Sequence, residues 1–100
     1  MPKTTVVIPH RLGKDEALGR LKHLLEDMKE RHGSQISDLQ EQWTHNGGTF
    51  SFKAMGFKIS GKMEVSDTDV KIEGEFPWAA KPFQGQIEGA IRDRATKLLA

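Results

Sequence analysis

Four histidines, His10, His23, His32 and His45, are the side chains in this chain best suited to proton transfer or metal binding. None stands three or four residues from another, so no pair shares a helical face as metal ligands do. The sequence has no cysteine, which excludes disulfides, thiolate metal sites and thiol nucleophiles. No G-x-S-x-G elbow, phosphate-binding glycine loop or dinucleotide fingerprint occurs. The stretch GQIEG at 85–89 falls in a helical pattern and matches none of them. The expectation is no catalytic, metal-binding or cofactor-binding residue and no cofactor, hence no enzyme.

Two irregularities in apolar patterning stand out instead. In ISGKMEVSDTDVKIEGEF, residues 59–76, Gly61 and Gly74 occupy positions where alternation calls for an inward side chain. Glu41 falls on the same inner face, between Leu39 and Trp43. A buried carboxylate needs partners or its pKa rises. Glu41 is therefore either a ligand-contacting or acid/base group, or an edge-strand carboxylate that reaches solvent.

Those residues need a scaffold, and the sequence outlines one. TTVVI at 4–8 is a short β-branched strand ended by Pro9. Gly13 suits a helix N-cap, with Asp15 and Glu16 in the first turn. From Lys14 to His32, Ala17, Leu18, Leu21, Leu24, Leu25 and Met28 follow helical spacing, and Gly33 stands where a C-cap belongs. Residues 36–78 form a four-strand meander. Two-residue turns are expected at Asn46-Gly47, Met55-Gly56 and Asp67-Thr68. They set Trp43 opposite Phe50, Glu41 opposite Phe52 and Leu39 opposite Ala54. They also set Phe52 opposite Ile59, Phe50 opposite Gly61, Met63 opposite Ile72 and Gly61 opposite Gly74. All three registers put apolar residues on one face, and a one-residue slip at any turn breaks that agreement. On the other face Glu64 meets Lys71 and Lys62 meets Glu73. Pro82 opens a second amphipathic helix through Phe83, Ile87, Ala90, Ile91, Leu98 and Leu99. The fold class is α+β, a single domain over residues 1–100 in the order β-α-β-β-β-β-α. An antiparallel meander carries two amphipathic helices on one face.

With 36% apolar and 29% charged residues, the composition is that of a globular domain. A net charge of +1, from 15 basic and 14 acidic residues, argues against a dedicated nucleic-acid binder. No apolar run is long enough for a membrane span or a signal peptide, and the expected location is cytoplasmic.

For the facing glycines, the simpler reading is close packing: Phe50 lies over Gly61, and Gly85 and Gly89 let the C-terminal helix approach the sheet. The alternative is an apolar pocket along Phe50, Phe52, Ile59, Gly61, Met63, Ile72, Gly74 and Phe76. Both apolar helix stripes are needed for the core, so surface contacts fall to a residual patch containing Trp78 and Phe83.

The segments IPHRLGKDEAL, QW followed by TFSF, GFKISGKMEV and PFQGQIEGAIRDRATKLL span nearly the whole chain. In order and spacing they resemble the polyhydroxyalkanoic acid system family, small bacterial proteins encoded near genes for polyester granule synthesis. The elements that carry the resemblance are Pro9, His10, Leu12, Gly13, Trp43, Phe50, Phe52, Gly56, Gly61, Gly85, Ile87, Glu88 and Ile91. It implies a non-enzymatic accessory protein of polyhydroxyalkanoate metabolism, with a granule surface or a granule protein as partner and no catalytic residue to carry over. Two alternatives stand beside it: a small apolar-ligand module whose sheet grips the C-terminal helix, and a homo-oligomer joined through an exposed strand edge.

Overall fold

The structure is a computed structural model and describes residues 2–31, 33, 35–54 and 56–100. The expectations placed on His32 and Met55 lie outside the described residues. Strand β1 (Lys3–Pro9) leads to helix α1 (Lys14–Leu21) and helix α2 (Leu24–Arg31). Strands β2 (Ile36–Thr44), β3 (Gly47–Ala54), β4 (Phe57–Val65) and β5 (Asp69–Glu75) follow. A short 3-10 helix (Trp78–Phe83) then precedes helix α3 (Gln84–Leu99). The five strands form one antiparallel sheet in the order β1-β5-β4-β3-β2. The first strand returns to pair with the last, leaving β1 and β2 as the edges.

The two later hairpins have the expected registers. Phe52 faces Ile59 and Phe50 faces Gly61, while Met63 faces Ile72 and Gly61 faces Gly74. On the outer surface Glu64 opposes Lys71 and Lys62 opposes Glu73. The ion pairs themselves run along each strand, Lys62 to Glu64 at 3.7 Å and Lys71 to Glu73 at 3.2 Å.

The first hairpin departs from expectation. Thr44 pairs with Gly47, so the turn is His45-Asn46, not Asn46-Gly47. Neither turn residue has the positive φ of a type I′ turn. The glycines are required inside the strand. A Cβ on Gly47 would lie 2.0 Å from the Met63 carbonyl oxygen, and one on Gly48 would lie 2.6 Å from that of Gln42. The shift is two residues, so facing is preserved: Glu41 meets Phe50 and Trp43 meets Gly48. Further along β2 a bulge lies between Ser37 and Gln40, with Asp38 at φ 53. The extra residue reverses the facing of the strand's start. Ile36 takes the place opposite Ala54 that the sequence suggested for Leu39, and it is buried.

The first helical stretch is two helices. At Lys22 and His23 the ladder tightens to a His23 N–H···O Arg20 bond of 3.1 Å, and Asp27 N–H···O His23 then starts α2. The expected apolar positions, from Ala17 to Met28, are buried on both sides of the break. It lets α1 pack over β4 while α2 packs over β2, with α3 against both. Pro82 sits in the 3-10 helix and not in the first turn of α3. Arg94 on α3 reaches Asp27 on α2 at 3.1 Å and locks the helical layer.

Candidate functional site

His10 is 8% exposed and already committed. Its Nδ1 accepts the Leu12 N–H at 3.1 Å, so the ring proton is on Nε2, which donates to the Ser66 carbonyl at 3.0 Å. The Lys14 N–H donates to Asp67 Oδ1 at 3.0 Å beside it. His10 therefore clamps the connector before α1 to the β4–β5 turn. Among the described residues no group of three or more His, Asp or Glu stands where a metal ion could be held.

The inner face is filled where the sequence left gaps. Phe50, Phe52, Ile59, Met63, Ile72 and Phe76 are all buried, and the Phe50 and Phe52 rings stack at 6.1 Å. A Cβ on Gly61 would lie 2.7 Å from the Phe50 ring and 2.1 Å from the Glu73 carbonyl oxygen. At Gly74 it would make an ordinary 3.4 Å contact with Thr4 Cγ2. The helix glycines are elsewhere: a Cβ on Gly85 or Gly89 would have nothing within 4 Å, and both positions are exposed. The helix–sheet approach through Gly85 and Gly89 is thus corrected. What lies over Gly74 is Thr4, whose hydroxyl donates to Glu88 on α3.

Glu41 lies on edge strand β2, half-buried, and its Oε2 has no hydrogen-bond partner among the described residues. Burial pushes its carboxyl above the ordinary value. The Trp43 side chain opposes this by favouring the charged form, and repulsion from Glu26 on α2 adds to it.

Two surface features among the described residues bear on binding. The first is the corner formed after β5. Phe76 anchors it in the core, Pro77 extends the chain, and Ala80 buries the inner side of the 3-10 helix. That geometry turns Trp78 outward at 66% exposure and Phe83 at 38%. Lys81 Nζ lies 5.5 Å from the Trp78 ring centre, and the Phe83 ring packs against Phe57 at 5.8 Å. The second is an apolar cleft of about 70 Å³ between α3 and the β2–β3 pair. Of the eight residues expected to line a pocket, only Phe52 borders it. Ile36, which also lines it, was hidden from the sequence by the bulge. Its one signal was Asp38, a residue type that tolerates the left-handed region, placed inside a strand.

The family described as "Putative polyhydroxyalkanoic acid system protein (PHA_gran_rgn)" matches residues 5–99. The chain belongs to this family. The match spans every element of the fold, from β1 to α3. No curated protein matches the chain. Among solved structures, that of Ara h 8.0201 superposes with a TM-score of 0.50 at 5% identity, covering 98% of this chain and 97% of that one. At that identity the likeness concerns the fold alone. The structure of TTHA0849 from Thermus thermophilus gives a TM-score of 0.40 at 10% identity, covering 98% and 92%. The family links the chain to the polyhydroxyalkanoate system. Among the described residues no helix is long and apolar enough to cross a membrane.

Proposed function

We propose that this chain is a non-enzymatic accessory protein of polyhydroxyalkanoate metabolism that meets the polyester granule surface, or a protein on it, through the corner carrying Trp78 and Phe83. The observation behind this reading is the outward indole of Trp78. The apolar faces of α1, α2 and α3 are used in the core, whereas this ring is held clear of it by a 3-10 helix pinned through Ala80. An indole with a cation over its face suits a boundary between an apolar surface and water.

Co-sedimentation with native polyester granules on a density gradient, with salt and a detergent-washed control, tests the reading. The wild type is expected to band with the granules and to resist salt. Replacing Trp78 and Phe83 by serine removes two aromatic anchors, worth roughly 3 kcal/mol together or about a hundredfold in partition. Trp78 is exposed and Phe83 packs on Phe57, so the variant is expected to fold with a melting transition lowered by about the worth of that one aromatic contact, roughly 1 kcal/mol. Unchanged association of the folded double variant would remove this surface from consideration.

A further inference from the structure

We infer that the cleft between α3 and the β2–β3 pair is a binding site for a short alkyl ester. The choice of an ester among neutral groups rests on the polyester reading above. Ile36, Phe52 and Ala54 from the strands and Ile87 from α3 make an apolar floor. At about 70 Å³ it has roughly half the volume of an apolar cavity that takes benzene, room for about three carbons. Among the described residues no charged side chain lines it. A carboxylate, phosphate or ammonium entering such a site would lose hydration without gaining a counter-charge.

Among the described residues the two polar ones that line it are carboxamides, Gln35 before β2 and Gln86 in the first turn of α3. Both are exposed, and neither makes a side-chain hydrogen bond among the described residues, so their N–H groups are available to a carbonyl oxygen. An apolar floor with neutral donors at the mouth matches an alkyl chain ending in an ester. The cleft also adjoins the exposed corner. Ala54 is the cross-strand partner of Phe57, which packs on Phe83, and Gln86 follows Phe83 by three residues. A protein seated on a polyester surface by that corner would bring the cleft to the ester groups.

The test is a titration of the full chain, labelled in its methyl and amide groups, with ethyl butanoate and in parallel with sodium butanoate, followed by NMR. Expected are saturable shifts at the methyls of Ile36, Ala54, Ile87 and Ala90 and at the side-chain amides of Gln35 and Gln86. Butanoate is expected to bind at least about tenfold more weakly. Ala90→Leu, on the half-buried wall, fills the cleft and abolishes the shifts. Gln86→Leu, at an exposed position, weakens the ester by about five- to tenfold with the fold intact. Shifts that do not saturate, equal binding of butanoate, a folded Ala90→Leu that binds as the wild type does, or an unchanged affinity in Gln86→Leu would each overturn the assignment. The two readings fail separately. Ester uptake without granule binding overturns the surface reading, and granule binding with unresponsive cleft methyls overturns the cleft.

Discussion

Gly61 and Gly74 face each other across β4 and β5, yet they answer to different constraints. At Gly61 the space for a side chain belongs to the Glu73 carbonyl and the Phe50 ring; at Gly74 a methyl would make ordinary contacts, with Thr4 Cγ2 at 3.4 Å and the Ser60 carbonyl oxygen at 4.0 Å. Gly61→Ala is expected to lose at least about 2 kcal/mol, because a backbone oxygen would have to move, while Gly74→Ala stays within about 1 kcal/mol of the wild type. Urea unfolding of the two variants checks this, and equal losses would show that the Glu73 carbonyl and the Phe50 ring are not what demands glycine. Glu41 carries a prediction in pH. Its carboxyl is raised above the ordinary 4.5 by burial, so its contribution to stability is fully present below that value and is lost as pH rises through the raised one. Glu41→Gln, which cannot ionise, is expected to melt above the wild type at pH 7 and level with it at pH 4. A gap that widens toward acid would reverse the sign and refute the burial argument.

At the scale of elements, α3 carries glycines that its packing does not use. Gly85 lies in its first turn and Gly89 in its interior, with open space around each, and a helical glycine costs conformational entropy with no packing in return. Replacing Gly89 by alanine is expected to add about 0.5–1 kcal/mol, and the first-turn Gly85 less. Thermal unfolding measures it, and a loss would mean that α3 needs these glycines for an approach absent from the monomer. The helical layer is tied by Arg94 and Asp27, whose side chains are 15% and 28% exposed. Arg94 Nε has no partner of its own among the described residues. Asp27→Asn removes the counter-charge of a guanidinium that is mostly out of water. A loss of about 1–3 kcal/mol is expected, read by chemical denaturation; a neutral result would show that the pair merely accompanies the α2–α3 packing.

For the whole molecule, the sheet, the helical layer and the corner divide the work. The sheet's inner face and the three helices close one core; its outer face carries alternating lysine and glutamate; the corner and the adjoining cleft are left to meet something else. Edge strands β1 and β2 each have one side without a strand neighbour in the sheet. If the homo-oligomer alternative applies, sedimentation of the full chain will show a concentration-dependent dimer. A monomer at high concentration would assign the edges to ordinary solvent exposure.

Periodicity alone determined much of this protein. The helical spacing from Ala17 to Met28, the alternation through β4 and β5 and the Gly61–Gly74 register follow from which residues must leave water together, and local patterning suffices for that. The order and spacing of residues across the chain also carried the family. Only the tertiary structure decided the rest, because each remaining feature depends on residues distant in sequence. The carbonyl of Met63 excludes a Cβ at Gly47 and keeps that glycine in the strand, with the turn at His45-Asn46. The bulge at Asp38 brings Ile36 opposite Ala54, and α1 and α2 separate to follow different strands. The cleft beneath α3 forms where that bulge, β3, Met28 of α2 and the first turns of α3 meet, which no spacing along the chain could announce.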